Sequence, residues 1–260
     1  MSEQQLTYLR NSVTKARIYL VAVSHISARS VEHVRHVIRH YKPDVVAVIY
    51  LLCLSLYIRD GVLECDCMDH ATSSILSSAR NELLLSFHFF IQYIYTFIAN
   101  ETEGSLPGEE LRVAMLEGHA SGARILCIDR DFNVTISKLS KEFSLWECLK
   151  FYLRNQKTLE QHYPNLHGAL MKLEQVSSSR EEFEFFFKPG VIKEELAMGN
   201  EYFPGLMRAL VHERNEYMVK RLRNLEGNVV AVVGAAHVPG MCELWQESEA
   251  GAERSSASLS

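Results

Sequence analysis

Two apolar, β-branched runs of this chain each end in a histidine. RIYLVAVSHIS begins at Arg17 and enters His25, and NVVAVVGAAHVPG begins at Asn228 and enters His237. A short run that is apolar throughout reads as a strand covered on both faces, and such strands hold ligand sites just past their carboxyl ends. A third run, VVAVIYLL, follows the stretch ISARSVEHVRHVIRHYKPD, in which Val31, Val34, Ile38 and Tyr41 share one helical face and Pro43 marks the stop. Strand, helix and strand in this order predict a parallel βαβ unit. A second α/β unit is predicted from PGEELRVAMLEGHASGARILCID. Here Pro107-Gly108 precede a helix, Gly122 lies past its end, and ARILCI is a strand running up to Asp129-Arg130.

From about residue 140 to 200 the pattern turns helical and irregular, with KEFSLWECLKFYLRN and LHGALMKLEQV the clearer helices, and it predicts a lid or side layer. A long helix is expected through FPGLMRALVHERNEYMVKRLRNLEG, with Leu206, Leu210, Met218, Leu222 and Leu225 apolar and Gly227 as its stop. The organisation that follows is an extension over 1–16, one α/β domain over 17–246 with a helical insertion at about 62–106, and a polar, disordered tail over 247–260. Within the insertion, LLLSFHFFIQYIYTFIA (83–99) only touches the lower limit of the ~17–25 residues a spanning helix needs. His88, Gln92 and Thr96 fall at i, i+4 and i+8 and form a polar stripe on it. That suits packing on protein or on a second copy in a homodimer, or peripheral contact with a membrane interface.

Composition narrows the classes. With 47% hydrophobic residues in 260, a large core can be buried. The net charge is −5, the pI is near 6.1 and the basic residues are dispersed, so no nucleic-acid partner is expected. Six cysteines lack the density of a disulfide scaffold, and MSEQQLTYLRNSVTKAR lacks an apolar secretory core, so a reducing, cytoplasmic setting is expected. Cys65-Asp66-Cys67 with His70 matches no standard zinc knuckle and reads as ordinary thiols.

The chemistry rests on the histidines. Each follows small residues, Ala22-Val23-Ser24 and Gly234-Ala235-Ala236, so the backbone can approach an ion or substrate closely. Taken singly, either imidazole reads as a core histidine satisfied by a carbonyl; the repeated context points to one shared site. The two histidine motifs, PGEELRVA, CIDRDFNVTISKLS, FPGLMRALVHERNEYM and VVAVVGAAHVPGM come in an order that resembles the TraB domain family. That family includes TraB and PrgY, is related to GumN and the Tiki proteases, and is linked more remotely to the erythromycin esterase and ChaN folds. The resemblance runs from about Arg17 to Met241 and is strongest to the eukaryotic, cytosolic TraB-domain proteins.

What the resemblance implies is an α/β fold of two related halves, a central sheet flanked by helices, with paired Gly-x-x-His motifs at one site. From the Tiki branch it implies a divalent-metal-dependent peptidase. Carried over residue by residue, it makes His25 and His237 metal ligands and Glu110 a ligand or general base. It matches Asp129-Arg130 and Glu213-Arg214 to the family's Asp-Arg and Glu-Arg pairs, with Arg130 or Arg214 on the substrate. Imidazoles with a carboxylate suit zinc, manganese or cobalt, and a guanidinium suits a carboxylate or developing oxyanion. The same pairs also suit a buried ion network that holds elements in register. Two departures stand out. Ile49 occupies the position of the family's glutamate in VVAVEL, and Ala22 replaces the first motif's glycine. The expected function is therefore a metal-dependent hydrolase acting on a peptide or small molecule, with a degenerate site. The alternative is a non-catalytic regulator or scaffold at the mitochondrial outer membrane, and a haem binder by analogy with ChaN is the third.

Overall fold

A computed structural model describes residues 6–24, 27–49, 108–142, 144–153, 160–175 and 188–257. His25 and the stretch 50–107 lie outside the described residues. With them fall the helical insertion, the 83–99 segment and the Cys65-Asp66-Cys67 group.

The apolar runs form an α/β sheet. Strands β2 (Arg17–Val23) and β5 (Asn228–Gly234) lie side by side and parallel, in register from Arg17↔Asn228 to Val23↔Gly234. β3 (Val45–Val48) flanks β5 on its other side, and β4 (Arg124–Cys127) pairs parallel with β3. Val229 to Val233 have no exposed surface, as expected of a strand covered on both faces. All four parallel strands end at one edge of the sheet.

The fifth strand comes from the segment the sequence reading assigned to an extension. β1 (Leu6–Arg10) pairs antiparallel with β2 and completes the order β1-β2-β5-β3-β4. Its LTYLR pattern buries Leu9 and leaves Tyr8 half exposed, which suits an edge.

Helix α1 (Ala28–Tyr41) packs along α2 (Glu109–Ala120), burying Val34, Val37 and Ile38. It ends where expected, with Lys42 ahead of Pro43 in the left-handed region at φ 43°. Glu117 of α2 accepts hydrogen bonds from Arg35 (3.2 Å) and Arg39 (2.7 and 2.8 Å) of α1. Gly118 lets α2 approach the sheet: a Cβ there would stand 2.6 Å from Ile125 and 2.8 Å from Val46.

The segment after β4 is richer in helix than the pattern suggested. Besides α4 (Leu145–Tyr152) and α5 (Pro164–Gln175), it holds α3 (Phe132–Glu142) and α6 (Pro189–Tyr202). Tyr163, Leu166, Ala169 and Val191 form a small apolar cluster of their own between α5 and α6. The long helix expected next is not uniform. α7 (Pro204–Met207) widens into a π turn at Arg208–His212 before α8 (Glu213–Leu222). After β5 a 3₁₀ turn (Ala235–His237) leads into α9 (Val238–Ala257).

The tail is a correction: the last helix continues to Ala257 where disorder was expected from 247. Glu249 accepts from the Ser12 amide (2.9 Å) and from Arg223, and Ser248 donates to the Leu244 carbonyl (2.7 Å), so the polar residues are held. No helix of the described residues is long and apolar enough to cross a membrane.

Candidate functional site

The carboxyl edge of the sheet collects the motif residues. β5 stops at Gly234 and the 3₁₀ turn carries His237 inward, where it is 6% exposed. Its Nδ1 lies 2.7 Å from Oδ1 of Asn215, a side chain in the first turn of α8 that is almost wholly buried. An amide oxygen only accepts, so Nδ1 carries the proton and donates, and Nε2 is the nitrogen with the lone pair. The Pro-Gly of AAHVPGM now has a physical reason. A Cβ at Gly240 would stand 2.5 Å from Asn215 Nδ2, so glycine makes room for the amide.

Asn215 sits beside Glu213 and Arg214, and those two grip the end of β4. Arg214 holds Asp129 through two bonds, Nε to Oδ1 at 3.1 Å and Nη2 to Oδ2 at 2.6 Å, and its Nη1 donates to the Leu210 carbonyl at 3.0 Å. Arg130 donates from Nη1 to Glu213 at 2.6 Å, from Nε to Thr135 at 2.9 Å and from Nη2 to the Ala209 carbonyl. The Asp-Arg and Glu-Arg dipeptides are thus cross-paired, acid to base in both directions. The arginines also reach two carbonyls of the π turn, whose wider winding departs from the i→i−4 ladder. Lys138 adds a contact to Glu213 at 2.7 Å. Hydrogen bonds from Lys138 and then Arg130 hold the Glu213 carboxyl below the usual carboxylate range, so it stays ionised near neutrality.

Glu110 is completely buried in the first turn of α2. α2 leads by a short turn into β4 and so runs against the strands, with Gly118 over Val46 and Ile125. At about 1.5 Å per residue the helix carries Glu110 roughly 12 Å from that point toward the carboxyl edge. Ser24 follows the end of β2 beside β5; its amide donates to Ser30 Oγ at 3.1 Å, and its own buried Oγ has no hydrogen-bond partner among the described residues. Ile49, one residue past β3, is 1% exposed and belongs to the apolar core. Burial pushes the Cys127 thiol up to about 11, which removes it as a thiolate nucleophile.

Of the residues singled out in the sequence, Arg130, Glu213 and Arg214 come together with Asp129 in one ion-paired cluster. His237 joins them through the same turn of α8. Among the described residues no three His, Cys, Asp or Glu side chains converge as a metal group, and His25 is not one of those residues. On donor chemistry, His237 fits a metal: Asn215 fixes the tautomer that leaves Nε2 as the ligating nitrogen. Asn215 was missed in the sequence, where only the dipeptide before it drew notice.

The chain is similar in sequence to known proteins. A curated, uncharacterised protein of Methanocaldococcus jannaschii is 28% identical over 255 residues, covering 93% of this chain and 56% of its own length. TraB domain-containing proteins of Mus musculus and Homo sapiens are each 24% identical over 255 residues, covering 88% of this chain and 63% of theirs. The chain thus spans between about half and two thirds of the length of the relatives it matches. A model of the TraB/PrgY/gumN family matches residues 82–251, which include Glu110, both acid-base dipeptides, Asn215 and the His237 turn. The chain belongs to the TraB/PrgY/gumN family.

Proposed function

We propose that the carboxyl edge of the sheet is the site of a metal-dependent hydrolase acting on a peptide or a small hydrolysable molecule. The observation that carries this reading is His237: a buried imidazole, held by Asn215 in the tautomer a ligand or base requires. In this reading His237 and Glu110 hold a divalent ion of the manganese, cobalt or zinc class, together with His25, which the sequence places one residue past Ser24. Such an ion, when bound, acts as a Lewis acid and makes a nucleophile of water near neutral pH. If Glu110 instead stands off the ion, it is the group that takes and returns a proton. Arg130 and Arg214 spend their main donors on Glu213 and Asp129, so they hold the end of β4 against α8 and offer remaining N–H groups to a substrate carboxylate or oxyanion.

A second reading is favoured by Ile49. An isoleucine cannot bind a cation or move a proton, and here it is core. On that reading the domain is a non-catalytic regulator or scaffold, associated with the mitochondrial outer membrane through the 83–99 segment. One set of proteins separates the two: wild type, His237→Ala and Ile49→Glu, each assayed for bound metal and for cleavage of a peptide library with added manganese, cobalt or zinc. The hydrolase reading expects stoichiometric metal in wild type and its loss in His237→Ala. Metal absent from wild type but gained by Ile49→Glu would establish a relic site and the scaffold reading.

A further inference from the structure

At the far end of α1 the sequence builds a different constellation. Glu32, His36 and His40 follow one another at i, i+4 and i+8, one above the next on a single helical face. The two imidazoles are exposed and stacked, with ring centroids 6.0 Å apart and planes parallel to within 7°. They line an open surface groove together with Glu32, Arg35 and Arg39. His40 is further oriented by Tyr41, whose ring meets it edge-on at 4.8 Å and itself stacks on Tyr19 at 3.9 Å. Because α1 begins past the carboxyl end of β2 and runs back along the sheet, this pair lies toward the opposite edge from His237.

We propose that His36 and His40 form a second, independent site for a transition-metal dication of the zinc, copper or nickel class. Two imidazoles one helical turn apart on one helical face stand at the spacing from which both rings can turn onto a single ion, and imidazole selects these metals over calcium or magnesium. The nearby arginines do not repel the ion on balance. Arg35 and Arg39 lie on Glu117, and Arg35 also pairs with Glu32, so two guanidinium charges meet two carboxylates. Glu32, one turn before His36 on the same face, pairs with Arg35, and water or an incoming donor completes the coordination.

The test uses the full chain and zinc chloride alone, titrated calorimetrically into wild type, His36→Gln, His40→Gln and His237→Gln, with circular dichroism to check folding. The expected result is a zinc-binding step, separate from any step that His237→Gln removes, whose affinity falls at least tenfold in each of His36→Gln and His40→Gln and is unchanged in His237→Gln. Both glutamine changes are at exposed positions, so the fold is retained. The proposal is overturned if wild type takes up no zinc, if both α1 variants titrate like wild type, or if only one of them is affected, since chelation needs both rings. Loss of zinc in His237→Gln alone would place all binding at the other edge and likewise overturn it.

Discussion

At the residue scale the interplay of Asn215, His237 and Gly240 sets the character of the candidate site. Asn215→Leu leaves the buried Nδ1–H of His237 without an acceptor and is expected to cost about 1–3 kcal/mol, measured by urea denaturation. Asn215→Asp keeps an acceptor, so it should destabilise less while drawing the imidazole toward its charged form, visible in the ring resonances by NMR. Equal losses in both variants would mean that Asn215 only fills space. His237 and the two acid-base dipeptides were legible in the sequence because motif and apolar context mark them. Asn215 was not, since an asparagine in a helix ordinarily faces water and its partner stands on the far side of a strand. The one available sign was the glycine three residues after His237, which implies that something comes close.

At the scale of elements, α1 shows how burial and charge combine. His33 is half-buried, its buried Nε2 has no hydrogen-bond partner among the described residues, and burial, then the neighbouring His36, hold its pKa below the ordinary value near 6.5. The folded state therefore binds fewer protons at this group than the unfolded chain does. Its contribution is fully present above about pH 6.5 and is lost as pH falls from there through the lowered folded value. His33→Leu should flatten that limb of a stability-versus-pH curve measured by thermal denaturation, and an unchanged limb would contradict the assignment. Glu117 acts lower on the scale. Its carboxyl is held below the usual range first by the Arg39 hydrogen bond, so its share is lost only as pH drops below about 4.5. The amphipathic period made α1 readable, whereas the π turn at 208–212 was not. The apolar positions continue through Leu206 and Leu210, and a single wider turn changes that spacing too little to show.

At the scale of the whole molecule, the last helix and the first strand close on each other. Trp245 is 2% exposed, donates from Nε1 to the Arg10 carbonyl at 3.2 Å and lies under the Arg223 guanidinium at 5.2 Å. Trp245→Ala is expected to cost about 3–5 kcal/mol, read from the shift of the urea midpoint. A cost below about 1 kcal/mol would show that α9 is not part of the cooperative unit. The α/β class was legible from the apolar runs and the helix between them. The strand order was not: a doubly covered strand has the same apolar composition whichever neighbour it takes, so nothing in NVVAVVG says that it lies between β2 and β3. The edge strand β1 was missed because five half-polar residues ahead of a turn resemble an irregular extension.

Glu213, Arg214 and Asn215 are consecutive, yet they engage Arg130, Asp129 and His237 at the tips of two different strands. A helix is stiff, so a small rotation or axial slip of α8 cannot release one of these grips and spare the others. The tips of β4 and β5 are consequently joined through a third body, and any event that displaces that single helical turn disengages the imidazole and the charged cluster in the same motion.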